Sequence, residues 1–461
     1  MQKSERRNIA GIGSLVFPIL VRSIPEFLAG QYPIGYDTIN SYVPLMLDWK
    51  IGLVNTTDLA GGWLLPVILG VIQLANVDPV LVIRVAGPIV YGFLGWSLFY
   101  FSRNRLSWSN NKSLVLVILS TLYFTSLRLS WDLPRNVLAL GFGLVALALS
   151  EKVAKRSTTI TFSAMVLLAV VSQVLVGAVI LAIVGFEILL RDCDRMRKIL
   201  AVTPATIQFI ISTAILALGN FEGVGATGTL GTTRADTLYD FLPILIPCIL
   251  GLSVLRKPAL GLWIILCGFA AGLALFPGPQ RWALMMTIPL TIGATEGLSF
   301  LFTRMFRHIR LVRAFGALIL FVWLALGVTY LALPAQNTFP YFSHFTPTSM
   351  VQSSIPSSDS ASLVESLRWL SNHIPSDAVL MTHNSMYGWA RVYFRSDNLI
   401  VNYGPSLNLN QAFQRTTAAG YAHIYTIWWV NGLGWYGNPY PPNGFHLVQQ
   451  FGNLGVFDYE S

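Results

Sequence analysis

Charge is what this sequence has least of. Only 11% of its 461 residues are charged, while 54% are hydrophobic; a soluble domain carries roughly 25% charged residues. A deficit of that size excludes a chain whose whole surface faces water. Cysteine is also scarce. Cys193, Cys248 and Cys267 fall in or beside apolar segments and show no metal-ligand spacing. The C-terminal region has none, so it is expected to fold on an apolar core without disulfides. No small-residue cleavage site follows the basic start, Lys3, Arg6 and Arg7, so no removable signal segment is expected. No internal repeat is visible. Acids are outnumbered, 21 to 30, for a formal charge of +9. In a soluble protein that balance points to nucleic acid. Here the basic residues sit in short clusters between apolar segments, where they act as topology signals, and no nucleic-acid partner is expected.

What is there in abundance is apolar runs. A bilayer core needs about 20 apolar residues per helix. Candidate spans lie near 9–28, 80–101, 113–130, 136–150, 159–172, 174–190, 199–219, 241–255, 258–276, 281–302 and 314–333. Placing the N-terminus inside puts 19 of the 30 basic residues on inner loops, with at least two in each, as the positive-inside rule requires. The fold class this predicts is a polytopic α-helical membrane protein of about 11 transmembrane helices, N-terminus cytoplasmic, with an extracytoplasmic C-terminal domain. The apolar stretch Trp63–Asn76 is too short to span and reads as an interfacial or re-entrant helix. Residues 1–333 thus form the transmembrane domain, with a long first outer loop at 29–79. Composition changes at Pro334. Residues 334–360 read as a Ser/Thr/Pro-rich linker, and 361–461 as a small α/β domain. In that domain helices are expected near 362–372 and 408–419, strands at 378–381 and 424–428, and a closing strand pair at 445–451 and 455–459.

Few charges reach the outer face, so each carries information. Charged groups at membrane depth are costly and face polar cavities. Tyr32-Pro33-Ile34-Gly35-Tyr36-Asp37 breaks the first helix just before Asp37 and presents its carboxylate beside Tyr36 and Tyr42. The same aspartate also suits an N-cap for the helix that follows. A second acid recurs in Ser130-Trp131-Asp132-Leu133-Pro134-Arg135-Asn136. Asp132 either pairs with Arg135, three residues on, or faces a cavity in which Arg135 and Asn136 meet substrate. Arg22, Arg84, Arg128 and Arg281 are further membrane-depth cations. Arginine suits bidentate phosphate binding, so Arg84, Arg135 and Arg281 are candidates for a lipid phosphate; snorkelling toward headgroups is the other reading. Glu222, Arg234, Asp236 and Asp240 lie in an outer loop, 219–240, that reads as a connector.

A long first outer loop with an aspartate near its start, an interfacial helix in that loop and a C-terminal outer domain together resemble the GT-C superfamily, polytopic glycosyltransferases that use polyprenyl-phosphate-linked sugars. The resemblance implies a catalytic role for Asp37, as base or metal ligand, with Asp132 as the nearest match to a second, assisting acid. Ser366 to Leu380 looks like the helix, turn and strand leading into the W-W-D-Y-G motif of the oligosaccharyltransferase catalytic subunit. Here the strand runs into His383-Asn384-Ser385-Met386-Tyr387-Gly388-Trp389, keeping only the Tyr-Gly pair. The Trp-Trp-Asp that recognises a protein sequon is missing, which argues against transfer to asparagine in sequons.

The resemblance implies direct transfer, with Asp37 deprotonating an acceptor hydroxyl and polyprenyl (for instance dolichyl) phosphate leaving against arginine side chains. His383, Tyr387 and Trp389 would line the acceptor or sugar side; the other reading makes them core and turn. Trp428, Trp429, Trp435 and Tyr436 form a further aromatic cluster. No cofactor is certain, and a divalent cation, Mg2+ or Mn2+, is the one the chemistry admits. The partners expected are a polyprenyl-phosphate-linked sugar and membrane lipid, with the acceptor open. A non-catalytic glycan- or partner-binding relative and a flippase for lipid-linked substrates are the competing functions.

Overall fold

A computed structural model describes residues 2–54, 59–153, 156–190, 195–218, 230–273, 279–305, 310–332, 350, 353–394, 399–404, 409–431 and 444–460. The fold divides into two compact units. The first comprises Met1–Ile24, Val54–Ile72 and Val85–Ala332; the second comprises Pro25–Leu53, Gln73–Arg84 and Leu333–Ser461. Most of the segment expected as the first outer loop therefore groups with the C-terminal domain.

Along the first 332 residues the described helices are α1 (Gln2–Leu28), α2 (Val43–Ile51), α3 (Leu64–Gln73), α4 (Pro79–Asn104), α5 (Asn110–Thr121), α6 (Phe124–Asp132), α7 (Pro134–Leu149), α8 (Arg156–Ser172), α9 (Val174–Leu190), α10 (Arg195–Leu218), α11 (Leu230–Leu255), α12 (Pro258–Gly272), α13 (Pro279–Met285), α14 (Thr287–Phe300) and α15 (Arg310–Ala332). Where the structure describes them, the expected spans fall on helix, with one broken near Leu122. Among the described residues, six stretches are long and apolar enough to cross a membrane, or seven if the bent pair α5–α6 counts as one. The expected count of eleven is not reached by that measure. Hydropathy marks apolar stretches but not the breaks within them. The stretch expected as one span at 113–130 is two helices bent by 67°. The 15-residue α12 rises only ~22 Å at 1.5 Å per residue, short of a core of about 30 Å.

Small and hydroxylated side chains bring the helices of the first unit together, as expected where apolar contact alone gives little specificity. Ser120 donates to Thr291 at 2.8 Å, and Thr125 meets Thr287 at 2.9 Å. Gly251 and Gly297 let α11 and α14 touch backbone to backbone: a Cβ at Gly297 would stand 1.9 Å from the Pro247 carbonyl oxygen. At the α5–α6 break, Trp323 donates to the Leu119 carbonyl at 3.0 Å, satisfying one acceptor that the interrupted helix leaves open.

The C-terminal part of the second unit is an α/β domain. Its elements run α16 (Ser360–His373), β1 (Val379–His383), α17 (Asn384–Tyr393), β2 (Leu399–Tyr403), α18 (Leu409–Ala418), β3 (His423–Trp429), β4 (Phe445–Phe451) and β5 (Leu454–Glu460). The five strands lie in the order β2-β1-β3-β5-β4. The first three are parallel, and β5 and β4 close the sheet antiparallel. Leu363, Val364, Leu367 and Leu370 of α16, at helical spacing, join Leu380, Trp389, Trp428 and Val456 in one core. Buried Asp359 accepts from the Trp429 indole at 2.7 Å and from Asn453 at 3.0 Å. The domain thus replaces disulfides with an apolar core and a satisfied polar tie. Trp435, Tyr436, Cys193, Glu222 and the 334–349 stretch of the linker lie outside the described residues.

Candidate functional site

In the second unit α1 gives way to a turn. Gly30 and Gly35 take positive φ, 66° and 107°, which only glycine adopts freely. Asp37 follows at the entrance to a π-helical turn, Thr38–Tyr42, half-buried and making no capping hydrogen bond with its side chain. The capping role open to it in the sequence is not the one it takes. π-Helical turns cost hydrogen-bond geometry and gather at functional sites.

That turn is held by α17. Asn384 donates to the Tyr36 hydroxyl at 2.6 Å, the Gly388 amide donates to Asn40 Oδ1 at 2.9 Å, and Arg391 pairs with Asp48. Gly388 is glycine for a steric reason: a Cβ there would stand 2.1 Å from the Ile39 carbonyl oxygen. The Tyr-Gly pair of the sequence motif therefore sits on the helix that grips the Asp37 turn, with ties one residue before and three after the aspartate.

The parallel strands place more polar groups nearby in sequence. β1 is central between β2 and β3, and open α/β sheets bind ligands outside the carboxyl ends of such strands, where the winding reverses. His383 ends β1 and Asn384 begins α17. The His383 ring lies edge-on between Tyr403 and Trp428, its Nδ1 bonded to the Ser385 hydroxyl at 2.8 Å. Burial pushes its pKa down to about 4, so at neutral pH it is an uncharged imidazole. Tyr387 is half-buried on α17. Trp389 is fully buried, stacked on Tyr393 and bonded to Ser354. The expectation that it lines a substrate is corrected: its helical spacing with Met386 and Ala390 makes it the core face of α17. Arg84 is answered by Glu26, giving one N–H to its carbonyl at 2.6 Å and facing its carboxylate at 3.4 Å. The lipid-phosphate expectation for Arg84 meets this ion pair. Glu26, the lone acid in the first apolar run, was the signal overlooked.

The first unit holds the other candidates. Asp132, the last residue of α6 and 2% exposed, pairs with Arg128 one turn back. Pairing with Arg135 was one of the two readings open to Asp132; the ion pair found is to Arg128. A carboxylate at a helix C-terminus opposes the helix dipole, and Arg128 offsets that. Arg22 lies over the Trp131 ring at 5.8 Å and donates to the Ser130 carbonyl at 3.4 Å. Asn136 is buried and accepts from Gln173 at 3.2 Å. The Arg135 guanidinium lies 4.0 Å from where a Cβ on Gly61 would be. Arg281, half-buried, rides on α13, which packs against the Asp132 helix. Among the described residues no three His, Cys, Asp or Glu side chains come together to hold a metal ion.

At the level of sequence, no family model and no curated protein matches the chain. Solved structures do. The apo form of ArnT from Cupriavidus metallidurans aligns with 99% of this chain and 98% of its own, at a TM-score of 0.58 and 11% identity. ArnT bound to undecaprenyl phosphate aligns over the same shares at 0.54 and 10%. The Archaeoglobus fulgidus oligosaccharyltransferase, in complex with zinc and sulfate, aligns with 90% of this chain and 67% of its own at 0.57 and 11%. The chain is a multi-pass membrane protein with the fold of the GT-C glycosyltransferases.

Proposed function

We propose that the chain is a membrane glycosyltransferase that moves a sugar from a polyprenyl-phosphate-linked donor to an acceptor on the outer face. The observation that carries this reading is the end-to-end fold likeness to ArnT, which is solved with undecaprenyl phosphate bound. In the step proposed, an acceptor hydroxyl gives its proton to the Asp37 carboxylate as its oxygen attacks the anomeric carbon. The bond from that carbon to the phosphate oxygen breaks, and polyprenyl phosphate leaves with the electron pair. Arg135 and Arg281 are proposed to offset the charge building on the phosphate, with Asn136 and Tyr36 orienting polar groups of the substrate. His383 and Tyr387 are proposed for the sugar side, and Asp132 as the acid that positions Arg128. No step is routed through a metal. The N-terminus is proposed to be cytoplasmic and residues 361–461 extracytoplasmic, with the shorter apolar helices completing the eleven spans. The missing Trp-Trp-Asp leaves a protein sequon outside the acceptors proposed.

Turnover of a labelled polyprenyl-phosphate sugar by purified protein tests the reading. Wild type should release polyprenyl phosphate, and Asp37→Asn should lose at least about 10²-fold, the usual worth of a general base. Donor binding without turnover, unchanged in Asp37→Asn, would move the chain to the glycan-binding or flippase readings.

A further inference from the structure

Two clefts of the first unit lie at the end where α1 begins and α4 ends, and the transfer reaction uses neither. One, about 490 Å³, runs between α1 and α4 from Ile12 and Leu15 to Asn8, Arg103 and Asn104. The other, about 500 Å³, lies on the far side of α4, against Phe142, Leu149 and Thr161. Both are of ligand-binding size. Trp96 and Tyr100 belong to both. With Phe93 they form a rib along α4, rings stacked at 6.0 and 5.4 Å. The clefts therefore flank one aromatic wall.

Among the described residues, the polar end of this pair holds cations that meet no carboxylate. Nearby cations are answered: Arg105 by Glu187 and Glu151, Lys112 by Glu296. Arg103 and Lys152 have no carboxylate partner among the described residues. Arg103 donates to the Trp108 carbonyl, and its Nε is screened from water and makes no hydrogen bond. Lys152 reaches Asn104 Oδ1 at 3.4 Å, while the Asn104 amide group is turned by its bond to the Tyr100 carbonyl at 2.9 Å. Arg103 and Asn104 thus line the polar end of the α1 cleft, and Lys152 joins them through its bond to Asn104. Ile12, 62% exposed, shows that the α1 wall is left for lipid to cover.

We propose that this is a binding site for one two-chained anionic phospholipid, its acyl chains on either side of the Trp96–Tyr100 rib and its phosphodiester held by Arg103, Lys152 and Asn104. Charge-assisted bonds from arginine to phosphate are the strong ones, and basic pockets between membrane helices bind lipid headgroups. A single polyprenyl chain fills one cleft and leaves the other empty, which is why the site is assigned to a diacyl lipid and lies apart from the proposed donor.

Native mass spectrometry of the full chain in detergent, with phosphatidylglycerol, phosphatidylcholine, polyprenyl phosphate or inorganic phosphate added, tests this. Wild type should retain one phosphatidylglycerol per chain, with about 10-fold preference over phosphatidylcholine, the scale of one or two hydrogen bonds to a charged group. Arg103→Gln with Lys152→Gln should abolish that preference. Gly11→Trp keeps both charges and should abolish retention by filling the α1 cleft, which Gly11 lines and where an added Cβ meets nothing within 4 Å. Equal retention of the two phospholipids by wild type would overturn the proposal. So would a preference that survives the charge variant, retention that survives Gly11→Trp, or competition by polyprenyl phosphate or inorganic phosphate as effective as phosphatidylglycerol.

Discussion

Gly388→Ala tests the contact on which the Asp37 turn depends. The added Cβ would lie 2.1 Å from the Ile39 carbonyl oxygen, 2.6 Å from Asn40 Oδ1 and 2.7 Å from Asn40 Cα. Two of those three atoms are backbone and cannot swing aside, so α17 and the turn must part by roughly 1 Å. Overpacking of this kind costs about 1–3 kcal/mol. The parting also breaks the 2.9 Å bond from the Gly388 amide to Asn40, worth about 1 kcal/mol, so the expected loss is ~2–4 kcal/mol. Ile39 is fully buried in the core of the second unit, so the loss should appear as a lower midpoint when unfolding is followed by tryptophan fluorescence. On the proposed mechanism, a shift of ~1 Å at Asp37 should also cost turnover about 10²-fold. Asn40→Ala, which removes only the acceptor, should fall between wild type and Gly388→Ala in both assays. A Gly388→Ala protein that unfolds within ~0.5 kcal/mol of wild type would refute the close contact itself. Full turnover in a destabilised Gly388→Ala protein would instead refute the link from α17 to Asp37.

Two further substitutions probe buried polar groups. His383 is held neutral in the fold, its pKa lowered to about 4 by burial, whereas the unfolded chain takes up a proton near 6.5. The histidine's contribution to stability is therefore complete above pH ~6.5, shrinks as pH falls, and levels off below ~4, a loss of up to ~3 kcal/mol. His383→Phe should flatten that slope in denaturant unfolding between pH 4.5 and 7.5, and an unchanged slope would place the titrating group elsewhere. Asp132→Ala strands the buried Arg128 charge and should cost about 3–5 kcal/mol, while Arg128→Met with Asp132→Leu should recover most of it; equal melting of the single and double variants in detergent would rule out the pair.

Periodicity and charge made much of this legible in advance. The basic clusters and apolar runs located the helical segments, and the Leu363, Leu367, Leu370 spacing located α16. The α5–α6 break was not legible, because Leu122 and Tyr123 carry no proline or glycine, and the break is stabilised by residues about 200 positions away: Trp323 bonds Leu119, and Gly327 lets α15 approach the Leu122 carbonyl. α17 was not singled out as a helix, although Met386, Trp389, Ala390 and Tyr393 stand at helical spacing. The reason for Gly388 is a neighbour that local sequence does not reveal. At the candidate site, Asp37 could be singled out because outer-face acids are rare. The sequence offered Arg135 as one partner for Asp132, but Arg128 also stands within a turn, and Leu133 and Pro134 break the helix on the Arg135 side.

The grouping of Pro25–Leu53 with Leu333–Ser461 changes what the C-terminal domain is for. Read by composition, the chain is a membrane machine with a soluble appendage, and the chemistry belongs to the machine. In the fold, the aspartate proposed as base is braced by the appendage. Tyr36, Asn40 and Asp48 each bond to a residue of α17, a helix encoded some 340 residues later. A short segment between apolar helices has no core of its own to hold a π-helical turn, and such turns persist only where surrounding contacts enforce them. The α/β domain supplies that enforcement with a rigid helix whose buried face, Met386, Trp389 and Ala390, is locked into its own core. Loss of the domain's packing should then reach Asp37 even where no substrate contact is touched, which makes destabilised variants of the C-terminal core informative about catalysis as well as folding.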